Sequence, residues 1–186
     1  MWTEVWHQTL LELDNVQRVS SDEFTRQDEI GAIFHGYECI ALSVFRWVDL
    51  DNPMYGDDSY FAVWPQAARD KACRDGARIC IGSNITIAPA WRKAEGCSLK
   101  DVLAALIIER FVHAGQGDAM VGTMRKDRGM DKLMDRVGAE RLGFTVTHHG
   151  VDVELFAYYR GSSNRPQLAA ADEAIVNRLT TGMGGH

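Results

Sequence analysis

Between a β-branched run, Ile85-Thr86-Ile87, and a long apolar stretch lies a basic loop that contains glycine: Arg92-Lys93-Ala94-Glu95-Gly96-Cys97. A strand that turns through small residues into a helix N-terminus presents unpaired backbone N–H groups and the positive end of a helix dipole. Those groups suit a phosphate. Arg125, Lys126 and Arg128 read first as surface charge, and near a phosphate site they would instead pair with phosphates or with an acidic partner. Cys97 precedes the helix start, where a thiol gains acidity, yet a small residue in a tight loop accounts for it better. His148-His149 lacks the Cys and carboxylate neighbours of a metal site. Asp49, Asp51, Asp57 and Asp58 lack EF-hand spacing and read as a solvated loop. No metal is expected. His35 and Glu38 flank a hairpin turn on the solvated side, and a general base drawn from that hairpin stays open.

The elements that must hold these residues follow from periodicity. A first helix is expected over about 3–13, closed by Asp14-Asn15, with Trp2, Val5, Trp6 and Leu13 near one face. Residues 20–28 are polar, a loop or a short second helix. Ala32 to His35 and Tyr37 to Trp47 read as two strands around Gly36, and 48–58 as a long loop. Pro65 opens a helix that Gly76 ends, and a strand runs from Ala77 to Ile87. Ser98 with Asp101 has the form of a capping box for a helix over 98–113, whose apolar face carries Leu99, Val102, Leu103, Leu106, Ile107 and Phe111. A strand over 118–124, a helix over 128–137, strands near 142–147 and 151–159, and a C-terminal helix near 166–180 complete the order. The last helix carries Leu168, Ala171, Ile175, Val176 and Leu179 on one stripe, and residues 182–186 read as a disordered tail.

The 186 residues fit one domain with a core of its own. A net charge of −6 argues against a general nucleic-acid binder, which would usually be basic. No apolar run reaches the roughly 18 residues that span a bilayer. The start, Met1-Trp2-Thr3-Glu4, has no secretory pattern. Cys39, Cys73, Cys80 and Cys97 have neither CxxC spacing nor disulfide density, so reduced thiols in a cytoplasmic protein are expected.

Two frames carry a family resemblance. Ile85-Thr86-Ile87-Ala88-Pro89-Ala90-Trp91-Arg92 fits Leu-x-Val-x-Pro-x-x-Arg. The following loop resembles Gln/Arg-x-x-Gly-x-Gly/Ala, with either Lys93 first or Arg92 first plus one inserted residue. A later frame, Asn-x-x-Ala-x-x-Leu-Tyr-x-x-x-Gly, falls on Asp127, Met130, Leu133, Met134 and Gly138, matching by type at Leu133 and Gly138. Together they resemble the GNAT superfamily of N-acetyltransferases over about residues 32–159. Val63-Trp64-Pro65 and Ser83-Asn84-Ile85-Thr86-Ile87 resemble the Val/Ile-Phe-Pro and Ser-Arg-Leu/Phe-x-Val frames of N-acyl amino acid synthases and acyl-homoserine-lactone synthases, with Asn84 where those have Arg. The segment from Gly122 to Met130 looks more like the N-acyl amino acid synthases than like ordinary acetyltransferases.

The resemblance implies an α/β fold, a mixed, mostly antiparallel central sheet flanked by helices. It also implies an enzyme that moves an acyl group, longer than acetyl, from acyl-CoA or acyl carrier protein to a primary amine such as an amino acid. The thioester is a co-substrate, and no tightly bound cofactor is expected. Ile85, Thr86 and Ile87 would pair with the pantetheine, and the Ile87 backbone N–H would meet the oxyanion. Arg92, Lys93, Gly96, Cys97 and Ser98 would hold phosphates, and Asp127 and Met130 would line the far side. Trp47 and Trp64, with Phe45 and Phe61, would contact the acyl chain. The general base is unassigned. Where many members have a proton-donating Tyr this chain has Met134, leaving Tyr158, Tyr159 or water. A short-chain acetyltransferase and a non-catalytic acyl-CoA-binding domain are the rival readings.

Overall fold

The computed structural model describes residues 1–14, 22–148, 150–162 and 166–181. His149, the tail and part of the 20–28 segment lie outside the described residues. The order is α1 (Trp2–Asp14), α2 (Asp22–Thr25), β1 (Glu29–His35), β2 (Glu38–Asp49), α3 (Gln66–Ala72), β3 (Arg78–Ile87), α4 (Leu99–Ala114), β4 (Ala119–Arg125), α5 (Met130–Arg136), β5 (Glu140–His148), β6 (Val151–Tyr159) and α6 (Ala170–Thr181). The six strands form one sheet in the order β1-β2-β3-β4-β6-β5. Its pairs are antiparallel except β3 with β4, which the helical crossover α4 makes parallel. The expected mixed, mostly antiparallel sheet is therefore present.

Alternation along the strands sends apolar side chains to both faces. One face packs Phe45, Cys80, Met120, Met124, Phe156 and Tyr158 against α4, α5 and Val176 of α6. The other packs Ile79, Ile81, Val121, Leu155 and Tyr159 against Ala68 and Ala72 of α3 and the aromatic pair Phe61 and Trp64. The segment 48–58, expected as loop, continues β2 to Asp49 and then makes short 3-10 turns at Pro53–Tyr55 and Ser59–Phe61. Helix α5 starts at Met130, two residues later than expected, because Gly129 is left-handed at φ 66° and breaks the helical path.

Two expectations fail at the level of caps and charges. Ser98 and Asp101 do not form the capping box: the Ser98 hydroxyl contacts the Asp101 carboxylate, and the Ser98 N–H donates to Asp172 Oδ1 at 2.8 Å. The carboxylate that reaches back to the cap residue thus comes from α6 rather than from the first turn of α4. Asp58 is not a solvated loop residue. Its side chain is 5% exposed, pairs with Arg46 of β2 and accepts the Tyr60 N–H at 2.9 Å.

Candidate active site

Strands β3 and β4 pair only at Ile79–Ala119, Cys80–Met120 and Ile81–Val121. Beyond those rungs β3 runs on to Ile87 and β4 to Arg125 without meeting, and a gap opens in the middle of the sheet. A bulge in β3 coincides with it. Leu42 faces Thr86 and Val44 faces Ser83, so Asn84 and Ile85 together oppose Ser43. Asn84 takes a left-handed backbone at φ 53°, which Asn tolerates better than other side chains because its short amide bonds locally. Gly82 and Gly122 face each other where the strands part. A Cβ on Gly122 would lie 3.5 Å from the Gly82 carbonyl oxygen.

The gap exposes backbone. The Ala88 N–H donates to the Ile40 carbonyl of β2 at 2.9 Å, so alternation turns the Ile87 N–H and C=O the other way, toward β4. Arg92 Nε donates to the Ile87 carbonyl at 3.2 Å and ties the basic loop to this strand end. Thr86 is buried, and its hydroxyl oxygen accepts the Trp6 Nε1–H of α1 at 2.8 Å.

Below the opening sits a cavity of about 30 Å³, lined by Ile85, Ile107, Met120, Met124, Met134 and Phe156 among others. Its wall is almost wholly apolar, and three of those residues are methionines, whose unbranched side chains change rotamer readily. Met134 therefore lines the site as a thioether, with no proton to give. Tyr158 also lines the cavity, packed edge-on against Phe111 at 6.3 Å. Tyr159 lies on the opposite face and donates to the Lys71 carbonyl at 2.7 Å, and burial pushes its phenol up to about 12. Trp47 stacks on Phe111 and Trp64 packs on Phe61, and neither borders the cavity.

The loop residues come together at the N-terminus of α4. Arg92, Lys93 and Gly96 are exposed, with Cys97 and Ser98 half-buried. Gly96 has φ 81°, and a Cβ there would meet nothing within 4 Å, so the loop surface is open. The Ser98 N–H is committed to Asp172, as described above, which removes it from an anion seat. Across the gap, Arg125 clasps Asp127 with two bonds of 2.9 and 2.6 Å. Arg128 lies 3.3 Å from Glu12 of α1, and Lys126 lies 3.8 Å from Glu154. Helix α1 is thereby attached to both walls, through Trp6 to β3 and through Glu12 to the β4–α5 turn.

One residue that sequence reasoning passed over stands out on the opposite face. Tyr60 sits in the Ser59–Phe61 turn, its hydroxyl sealed from solvent. Thr123 of β4 supplies the polar groups facing it, and burial, only partly offset by Thr123, drives its pKa far above the usual phenol value. The one signal in the sequence was Asp58 two residues earlier, a turn-capping spacing hidden among other aspartates. Among the described residues no three His, Cys, Asp or Glu side chains group as a metal site, and no helix is long and apolar enough to cross a membrane.

No protein-family model and no curated protein sequence matches the chain. Solved structures do. FeeM, an N-acyl amino acid synthase from uncultured soil microbes, superposes with a TM-score of 0.56 at 11% identity, covering 84% of each chain. BjaI, a CoA-dependent acyl-homoserine lactone synthase seen with SAM and isopentyl-CoA, gives 0.53 at 12% identity over 100% of this chain and 78% of its own. NAA60 of Arabidopsis thaliana, in complex with a bisubstrate analogue, gives 0.51 at 12% identity over 84% and 91%. At these identities the likeness speaks for architecture, and the architecture of this chain is the GNAT-type fold: a mixed sheet that parts between two parallel strands beside a long crossover helix.

Proposed function

We propose that this protein is an N-acyltransferase that moves an acyl group from a thioester to a primary amine, with an amino acid as the acceptor class. The observation that carries the reading is the gap between β3 and β4, which opens onto an apolar cavity. A pantetheine arm laid in the gap would complete the ladder that the strands leave unfinished, pairing with backbone from Ile85 to Ile87. The Ile87 N–H would then stabilise the oxyanion of the tetrahedral intermediate. Holding thioester and amine together supplies much of the remaining rate gain. Arg92 and Lys93, with the backbone at Gly96 and Cys97, would meet the donor's phosphates, while Ser98 serves the fold through Asp172. Met130, at the start of α5, and Asp127, oriented by Arg125, would flank the far side. The acyl chain would run among Met120, Met124 and Met134 rather than along Trp47 or Trp64. FeeM, named as an N-acyl amino acid synthase, supports the acceptor class.

A second reading has one observation in its favour: a cavity of about 30 Å³ holds little more than an acetyl group unless the methionines move. Thiol release from octanoyl-CoA, octanoyl carrier protein and acetyl-CoA, each with a panel of amino acids and simple amines, separates the two. Turnover of the octanoyl donors with an amino acid is the expected result. Preference for acetyl-CoA gives the short-chain acetyltransferase, and binding without turnover with any amine gives a non-catalytic domain.

A further inference from the structure

The two outer strands, β1 and β5, close the sheet in different ways. A free strand edge offers unpaired N–H and C=O groups to any other strand, and proteins blunt it with breaks, charges, lysine or proline. Strand β5 is blunted. Its ladder breaks between Arg141 and Thr145 around Gly143, left-handed at φ 80°, and the Lys71 ammonium donates to the Leu142 carbonyl at 2.9 Å. Strand β1 has none of these devices. It pairs with β2 on one side, and its run Ile30-Gly31-Ala32-Ile33-Phe34 carries neither charge nor proline. The one irregularity in that pairing adds Ile40 to β2 and leaves the alternation along β1 intact. Glu29 and Ile33 therefore face α4, Glu29 by pairing with Arg110, and His35 on the same side lies 4.9 Å from the Trp91 ring. On the other face Ile30, Ala32 and Phe34 form an apolar row that stays in solvent, Ile30 at 48% and Phe34 at 61% exposure.

We propose that β1 is a self-association edge, pairing antiparallel with β1 of a second copy of this chain about a two-fold axis through Ala32. The two six-stranded sheets then become one continuous sheet. The sequence selects both occupant and register, because the strand is complementary to itself. Centred on Ala32, each Ile30 lies opposite the partner subunit's Phe34, and all three exposed apolar side chains meet apolar ones. On the α4 side the same register sets Glu29 opposite the partner subunit's His35, whose ring N–H can donate to that carboxylate. Other centres spoil the match. Centring on Gly31 would set Phe34 against the partner subunit's Asp28, and centring on Ile33 would set Ile30 against the partner subunit's Gly36. The gap between β3 and β4 lies two strands inward and stays open, so this association is independent of the acyl-transfer reading.

The test is sedimentation of the full chain from about 1 to 100 μM, a range that covers modest specific interfaces. The wild type should shift from 20.8 kDa to twice that mass as concentration rises. Ala32→Lys introduces the charge that edge strands use against pairing and sets two ammonium groups face to face at the axis. It should weaken the dimer by about 10-fold or more, and the folded monomer should melt as the wild type does, since position 32 is exposed. Ala32→Cys reads the register directly. Opposed Cα atoms in an antiparallel pair lie about 4.5–5.5 Å apart, within disulfide reach. Mild oxidation should therefore link two copies at that position, while the wild type with its own four free cysteines should not cross-link. The proposal is overturned by a wild type that stays monomeric throughout, or by a dimer as tight in Ala32→Lys as in the wild type. An Ala32→Cys chain that cross-links no faster than the wild type overturns it equally.

Discussion

At the scale of single residues, the cleft is defined by side chains that are missing. A Cβ on Gly122 would fall 2.5 Å from Met124 Cε, the free end of a flexible chain, and that on Gly82 3.2 Å from Met120 Sδ. Gly122→Ala should therefore fold, since the methionine can swing away, and a strand position gains from losing glycine. The displaced Met124 terminus has the cavity as its nearest space. The expected outcome is a fall of about 10-fold in the octanoyl-to-acetyl ratio of kcat/KM, the scale of one or two methylenes in an apolar pocket, with little change in melting temperature. An unchanged ratio would place the acyl chain elsewhere. Such residues were only partly readable in the sequence. The basic loop and Gly96 are local in sequence and were visible. Tyr60 was not, because its hydroxyl is buried against Thr123, 63 residues further along the chain, and only tertiary structure brings the two together.

Among elements, α4 and α6 depend on one another in a way that neither sequence segment suggests alone. The Ser98 N–H at the head of α4 is satisfied by Asp172, which is 5% exposed, while Val176, Ile175 and Leu179 of α6 pack into the core beside α4. Asp172→Ala removes the acceptor and leaves a helix-start N–H unsatisfied, a loss of about 1–2 kcal/mol. For a chain of this size the melting temperature should drop by about 2–8 °C, whereas Asp172→Asn, which keeps an acceptor oxygen, should lose less. Equal losses would point to the charge rather than the bond. The strand and helix order was foreseen because each element carries its own period, and helix α4 differs by one residue at each end. The cap was misassigned because Ser-x-x-Asp imitates a local motif, while the true partner lies 74 residues away.

For the molecule as a whole, charge sets the acid limit. The hydrogen bonds from Arg78 hold the Asp118 carboxyl below its ordinary value, and those from Arg125 do the same for Asp127. A carboxylate whose folded pKa is depressed adds stability that is complete above its unfolded pKa, near 4, and vanishes as pH falls through the folded value. Melting temperature should thus be level from pH 7 to about 5 and decline below about 4, more gently in high salt because these pairs face solvent. Asp118→Asn should flatten part of that decline, and an unaltered acid limb would assign it to other carboxylates.

The three-rung contact between β3 and β4 divides the sheet in two. The strands β1, β2 and β3, consecutive in the chain, lie on one side of the seam, and β4, β5 and β6, also consecutive, lie on the other. Within each half every pairing is antiparallel. Only the seam between the halves is a parallel pairing, and it is held by three residue pairs. The proposed substrate site thus lies where two antiparallel halves meet, at the place where the sheet is left unfinished.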